Sequence, residues 1–425
     1  MSDTISYKNS GVKWIGEVPS HWKMSRLKYL TTNHDGKRIP LNLEQRGSKQ
    51  GDFPYYGATG IIDSVDEYIF EGEYLLIGED GAPFFIPYQD VAFIADGKFW
   101  VNNHCHILKS KEEINTKYLC YFLNSVDYRN YITGSTRDKL TQSDLNIIEI
   151  STPPLIEQKK ISTYLDAKTK EINNIIAKKE KLIDSLKEER IEIINHSTTK
   201  GINEKVEFKS SGIDWIKEIP KSWTTKRIKH IAKTFGRIGY RGYQTSDLVN
   251  EGEGAITLSP SNMKELEMDY TKCTYLSWEK YDESPEIQIE NGDVIFVKTG
   301  STFGKVALVN NLPEKATINP QLLVFKNIKI SNDFFYFVLL SELIRGQVNT
   351  SVIGGTIPTI SQEKIGNYYL FVPPMEEQKE IVAAVRKHLD RIKTAIATIT
   401  QEIELIKEYK AALINEVVTG KIILN

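Results

Sequence analysis

A chain of 425 residues is too long for one compact core, since domains usually run to roughly 100–200 residues, and two or three domains are expected. With 40% hydrophobic and 26% charged residues the composition is that of a folded protein, which excludes collagen-like and disordered chains; the longest apolar run, Phe334 to Leu340, falls far short of the roughly 20 residues that span a bilayer. Lys and Arg (54) nearly balance Asp and Glu (56), and the net charge of −2 argues against a protein that coats nucleic acid nonspecifically.

Met1 to Ser10 is polar, without a basic-then-apolar signal pattern. Cys105, Cys120 and Cys273 are too scattered for a disulfide framework and suit a reducing compartment, so a cytoplasmic location is expected. Lys8 to Leu30 reads KNSGVKWIGEVPSHWKMSRLKYL. It returns as KSSGIDWIKEIPKSWTTKRIKHI from Lys209 to Ile231, with ten of 23 positions identical at an offset of 201, including Trp14 with Trp215 and Trp22 with Trp223. The chain is therefore a tandem duplication. Strand-like runs follow at Tyr74–Ile77, Val91–Ile94 and His106–Leu108, with a helical stretch near Thr116–Tyr128, so residues 1–152 are expected to form a mixed α/β globule.

A second match pairs GEYLLIGEDG from Gly72 with GDVIFVKTG from Gly292. A third pairs GSTRDKLTQSDLNIIEISTPPLIEQKKI from Gly134 with GGTIPTISQEKIGNYYLFVPPMEEQKEI from Gly354, both starting at an offset of 220. The 19-residue difference must fall between residues 31–71 of the first copy and 232–291 of the second. Matched frames thus surround divergent middles.

At Pro153-Pro154 the pattern turns helical, with Glu157 in the first turn. Ile161, Leu165, Ile172, Ile175, Leu182, Leu186 and Ile193 recur at threes, fours and sevens among Lys and Glu, the stripe of a coiled coil over 153–207. A second globule is expected over 208–372. Pro373-Pro374 then opens a helix over 373–425 with a stripe of Ile381, Val385, Ile392, Ile396, Ile399, Ile403, Ile406 and Leu413. Neither helix is broken by Gly or Pro, and about 40 residues at 1.5 Å make a rod roughly 60 Å long. Each rod exposes a seam that needs a partner. Because a globule lies between the two in sequence, an antiparallel pairing with its own duplicate is the natural closure.

Each globule gathers basic and aromatic residues. Lys221 to Ser246 contains Lys226, Arg227, Lys229, Lys233, Arg237 and Arg241 with Phe235, Tyr240 and Tyr243, and no acid; the first copy has Arg26, Lys28, Lys37, Arg38, Arg46 and Lys49 followed by Pro54-Tyr-Tyr-Gly-Ala-Thr-Gly60. Arginine can fork onto guanine edges or phosphates, and tyrosine can stack. Signs of catalysis are absent. There is no GxxxxGK[ST] loop, Gly252-Glu-Gly254 is too short for a dinucleotide fingerprint, and no Ser/His/Asp set stands out. In His104-Cys105-His106 strand alternation puts the cysteine opposite both histidines, and no second cluster completes a metal site. The spacing of Asp293 and Lys298 is loosely nuclease-like, but reads more simply as a strand followed by a turn.

The order of globule, PPxxEQxxI helix, globule and second such helix resembles the specificity subunit of type I restriction-modification systems. The matching pieces include WIGEVPSHW, WIKEIPKSW, YYGATGIID, GEYLLIGEDGA, FWVNNHCHIL and GDVIFVKTG, in order over essentially the whole chain. The resemblance implies two target-recognition domains reading the halves of a bipartite duplex DNA target, with the antiparallel helices as a ruler between them. It implies docking of two methyltransferase subunits, which carry S-adenosylmethionine, and of restriction subunits, which use ATP and Mg; the chain itself would carry no cofactor, metal or catalytic residue. On this reading Lys37, Arg38, Tyr55 and Tyr56 contact one half-site, and Arg237, Tyr240, Arg241, Tyr243 and Lys298 the other. The first copy departs at one turn, with Glu79 and Asp80 where the second has Lys298 and Thr299. Two rival classes remain: a self-sufficient DNA-modifying enzyme, which would need a cofactor loop, and a coiled-coil scaffold binding only proteins, which would leave the basic aromatic loops without purpose.

Overall fold

The structure is a computed structural model that describes residues 6–132, 138–203, 205–213, 216–237, 239, 242–351 and 359–424. It divides into two compact units, residues 1–181 with 398–425 (unit 1) and 182–397 (unit 2). Each long helix is shared, its first part in one unit and its last in the other.

In unit 1 a four-stranded sheet runs in the order Thr31–Asn33, Cys105–Ser110, Tyr74–Gly78, Ala92–Ala95, all antiparallel. A second sheet contains Gly60–Val65, Phe53–Gly57, Lys98–Val101 and Phe70–Glu71, with Phe53–Gly57 parallel to Lys98–Val101 through Tyr55 opposite Trp100. The strands are rich in β-branched and aromatic side chains, and Tyr74–Gly78 is buried along most of its length, as a central strand must be. The helix expected over Thr116–Tyr128 is confined to Thr116–Leu123. Asn124 ends it by turning its side chain to the adjacent sheet, where its carbonyl accepts from the Val91 and Ala92 amides and its amide donates to the Ala92 carbonyl.

Unit 2 repeats this plan. Lys233–Gly236, Leu322–Lys326, Val294–Val297 and Val306–Leu308 form the first sheet in the same order, and Gly254–Leu258 runs parallel to Ala316–Ile318, as Phe53–Gly57 does to Lys98–Val101. The registers narrow the location of the length difference. Asn33 occupies the position of Thr234 at the offset of 201, and Tyr56, whose carbonyl accepts from the Asn102 amide, that of Leu258, whose carbonyl accepts from the Asn319 amide, at 202, so 18 of the 19 extra residues lie beyond Leu258 and before Gly292. There unit 2 builds the hairpin Met263–Lys264 with Glu267–Met268, the strand Thr274–Ser277 and the short helix Trp278–Asp282.

The repeated tryptophans and the Glu-Gln pair of PPxxEQ form one lock, made twice. Trp22, 1% exposed, donates its indole N–H to Glu157 at 3.0 Å; Trp223, fully buried, donates to Glu377 at 2.9 Å. Gln158 donates to the Pro153 carbonyl and accepts from the Asn115 amide, while Gln378 donates to Pro373 and accepts from Ser331. Asn115 and Ser331 are the N-caps of the helices Thr116–Leu123 and Asn332–Leu340, so one glutamine ties each long helix to the start of an earlier helix in its unit. Each buried donor thereby has its acceptor, whose loss would cost about 1–3 kcal/mol. The strand before each Pro-Pro pair closes the unit on its own beginning: Glu149–Thr152 pairs with Lys23–Arg26, and Tyr369–Val372 with Thr224–Arg227.

The long helices are Leu155–Thr199 and Met375–Val418, of 45 and 44 residues. Within unit 1 they run antiparallel, since Asn173 meets Lys410 and Lys179 meets Glu402. Their seam shares a core with the globule through Ile161, Leu165, Ile172, Leu413 and Val417. In unit 2, Ile381, Val385 and Leu389 join the globular core together with Ile194. Ile392 and Ile399 are buried, and Leu186, Ile193 and Ile406 half-buried. The predicted stripe is wrong at two places. Ile175 and Leu182 are 46% and 49% exposed, and their neighbours Ile176 and Ile183 are half-buried instead. The alternation of fours and threes from Ile172 runs through Ile176, Lys179, Ile183 and Leu186, so Ile175 and Leu182 lie about 100° off the seam. Lys179, which the apolar pattern skipped, takes a seam position with Glu402 as its partner.

Candidate nucleic-acid interface

Several residues read as contacts belong to the interior. Arg38 follows the turn Asp35–Lys37 and points inward. Its Nη1 lies 2.5 Å from Glu79 Oε2 and donates to the Cys105 carbonyl at 3.0 Å, and its Nε donates to the Asp35 carbonyl. His106, 1% exposed, completes the cluster, its Nδ1 2.6 Å from Asp35 Oδ2 and its Nε2 2.8 Å from the Leu140 carbonyl. Burial pushes the Asp35 and Glu79 carboxyls up. Hydrogen bonding and charge from His106 at Asp35, and from Arg38 and His106 at Glu79, outweigh it, so both stay below the usual carboxylate range. The cluster ties the first residues of the divergent segment to two strands of the frame sheet.

Tyr55 is fully buried, its hydroxyl hydrogen-bonded to the Leu41 backbone and its ring 5.3 Å from the Arg46 guanidinium. Tyr56 packs among aromatics, stacked on Phe93 and edge-on to Phe99. Neither ring is available to a base. Phe53–Gly57 lies between Gly60–Val65 and Lys98–Val101 in its sheet, and this pairing turns both rings to the interior rather than to a ligand. Lys37 is exposed.

In unit 2 Arg237 is likewise interior, 5% exposed, donating to the Ile318 carbonyl and the Thr317 hydroxyl, with Tyr243 stacked at 5.4 Å. Burial lowers its pKa and raises that of Tyr243. Arg237 therefore fastens the strand Ala316–Ile318, and Tyr243 is half-buried against it. Tyr240 and Arg241 lie outside the described residues. Asp293 is paired with Lys326 at 2.5 Å and accepts from the Glu290 amide, which makes it a structural residue at the start of its strand.

Lys298 is the predicted contact in unit 2 that remains uncommitted. It is half-buried at the end of Val294–Val297, and among the described residues no carboxylate pairs with it; burial alone lowers its pKa. Its Nζ and the Gln362 amide nitrogen lie 3.3 and 2.8 Å from where a Cβ on Gly236 would stand, so both side chains reach over the same glycine. The Glu79 carbonyl accepts from the Leu140 amide, and the Lys298 carbonyl from the Ile360 amide. Glu79 and Lys298 thus occupy one backbone position with opposite charges.

Sequence reasoning overlooked the neighbouring cluster of Arg227, Tyr369, Lys229 and Asn367. Arg227 donates to the Tyr369 hydroxyl at 2.8 Å and Lys229 to Asn367 at 2.8 Å. Arg227 and Lys229 stood in the basic run, but Asn367 and Tyr369, about 140 residues away, give no signal until the strands pair. His104 is half-buried with its Nδ1 3.8 Å from Asp80 Oδ2, and no group of three or more potential metal ligands occurs among the described residues.

Two duplicated units joined by long helices, each with a divergent segment set on a common frame, define a class of recognition subunit in which a scaffold is fixed and a reading surface varies. The type I restriction modification DNA specificity domain matches residues 19–185 and 220–405, and the chain belongs to that family, whose members are non-catalytic DNA-recognition subunits. It is 41% identical over 132 residues to a putative type I restriction enzyme specificity subunit of Haemophilus influenzae, covering 31% of this chain and 33% of that protein. It is 22% identical over 416 residues to the MjaVIII specificity subunit of Methanocaldococcus jannaschii, covering 95% and 94% of the two chains. A solved structure described as the basis of complex assembly and conformational transition of the type I R-M system shares the fold, with a TM-score of 0.69, 15% identity, and 95% and 99% of the two chains covered. No helix among the described residues is long and apolar enough to cross a membrane.

Proposed function

We propose that the chain directs a methyltransferase to a bipartite duplex target, each unit reading one half-site and the two long helices setting the spacer between them. The duplication carries this reading. A frame built twice from the same Trp–Glu lock and the same sheet order has nearly all of its length difference within residues 57–71 and 259–291, the expected pattern if two different half-sites are read from equivalent scaffolds. On this reading Lys37 and Lys298 meet the duplex, and the side chains of the two divergent segments would supply base readout. S-adenosylmethionine would be held by the methyltransferase partners, and ATP with Mg by a restriction subunit, leaving this chain to bind and position.

Sequencing of methyladenine in a host expressing the chain with its methyltransferase should reveal one motif split by an unspecified spacer. Adding about one helical turn after Ile176, about 5.4 Å of helix, should lengthen the spacer and keep both half-sites. An unsplit motif, or an unchanged spacer in the longer chain, refutes the assignment.

A further inference from the structure

In unit 2 the exposed Lys229 and the half-buried Arg227 and Lys298 lie along one strip. From Lys298 it passes to Gln362, beside Gly236, and along the helix Gln362–Gly366, about 7.5 Å long. Gly366 abuts Lys229, a Cβ on that glycine standing 3.6 Å from the lysine's own. Asn367 then accepts from both Lys229 and Arg227, and Arg227 reaches the Tyr369 hydroxyl, its guanidinium 5.0 Å from the ring centroid. These partners are neutral. Among the described residues no carboxylate pairs with Arg227, Lys229 or Lys298, although the exposed Glu363 shares the short helix. Neutral hydrogen-bond acceptors hold the cations in place without discharging them.

Unit 1 has the same backbone with different chemistry. Arg26 and Lys28 stand for Arg227 and Lys229, but Glu149 faces Arg26 in the strand register where Tyr369 faces Arg227. Asp144 replaces Lys364, Ile147 replaces Asn367, and Glu79 replaces Lys298. Four matched positions carry cations in unit 2 and two in unit 1, which puts carboxylates at three others. Glu79 is further closed off by Arg38 and by Lys139 at 3.2 Å.

We propose that the strip Lys298, Gln362, Lys229, Arg227 of unit 2 seats on the phosphates of the DNA duplex and that its unit 1 counterpart does not, so that one unit carries most of the electrostatic grip. This rests on the DNA-reading role proposed above. A duplex presents a phosphate every 3.4 Å of axis along each strand, so a strip with several uncompensated cations can neutralise more than one. The near-zero net charge of the chain is consistent with a local rather than a global field.

The test uses the full chain assembled with its methyltransferase and a duplex carrying the methylated target, with binding followed by fluorescence anisotropy over a range of salt. Each lost phosphate contact reduces the slope of log K against log salt by roughly 0.9, so Lys229→Gln with Lys298→Gln should flatten it by about 1.8 with the methylated sequence unchanged. Lys229→Arg with Lys298→Arg should restore the slope, and Arg26→Gln with Lys28→Gln should leave it as in the wild type. A wild-type slope in the unit 2 glutamine pair, or equal flattening by the unit 1 pair, overturns the proposal. So does loss of methyltransferase binding with the DNA slope intact, which would make the strip a protein-docking surface. Failure of the wild-type complex to prefer its target over unrelated duplex would instead refute the underlying reading, and is seen before any variant is made.

Discussion

Replacing Arg38 with alanine separates an internal role for this residue from a contact with DNA. The substitution removes the ion pair to Glu79 and the donors to the Asp35 and Cys105 carbonyls, and leaves Glu79 with Lys139 at 3.2 Å and His106 at 3.9 Å. Removing one partner of a fully buried pair costs about 3–5 kcal/mol. The Arg38 and Glu79 side chains are 18% and 13% exposed, and Lys139 compensates in part, so about 2–3 kcal/mol is expected here, roughly a 30- to 150-fold fall in the folded-to-unfolded ratio. Urea unfolding followed by tryptophan fluorescence is the assay. Trp100, whose indole donates to the Ile39 carbonyl at 2.6 Å, sits beside the affected turn and should report its loss. Arg38→Met with Glu79→Leu should recover much of the stability, because it removes both charges together. The reasoning is refuted if Arg38→Ala unfolds like the wild type while the salt slope for DNA binding falls by about 0.9, the signature of a phosphate contact.

Two further outcomes follow from the same geometry. Asp35 and Glu79 are held below the ordinary carboxylate range, so their stabilisation of unit 1 is complete above about pH 4–5 and is lost as pH falls through their lowered values. Asp293 has the opposite sign: burial outweighs the Lys326 hydrogen bond and raises its pKa, so acidification through that range favours the folded form of unit 2. Thermal melts against pH should show Glu79→Gln flattening the acid loss and Asp293→Asn removing the opposing gain; identical profiles in all three proteins would contradict both assignments. On the helices, Leu165→Ala should cost about 2–5 kcal/mol, whereas Ile175→Ala and Leu182→Ala should each cost under about 1 kcal/mol. Equal melting losses at Leu165 and Ile175 would restore the seam first read from the sequence.

Much of the architecture was legible because it was written twice. The recurrence of WIGEVPSHW as WIKEIPKSW, of PPLIEQ as PPMEEQ, and of a period of threes and fours fixed the duplicated frame and the two helices, since each signal is local and depends only on backbone propensity and the helical repeat. Even the bare Pro-Pro signal concealed a tertiary device. That Glu157 receives Trp22, and that Gln158 ties the helix to Asn115, could be seen only once segments about 135 and 43 residues apart were brought together.

The candidate site was far less legible, for the same physical reason. Arg, Tyr and His have the same letters whether they face DNA or the interior, and what decides is whether folding supplies a partner. Arg38 found Glu79, Tyr55 found the Leu41 backbone, and Arg237 found Thr317; each became part of the frame. Lys298 stands at the position of Glu79 and found no carboxylate among the described residues, while Arg227 and Lys229 found only the neutral Tyr369 and Asn367. Local signals in the chain suffice to show two copies, the start of each helix and the stretches that diverge. Which charges are used inside and which remain for a ligand follows from the fold, because pairing between distant strands sets the partner of each side chain and leaves no periodic trace in the chain.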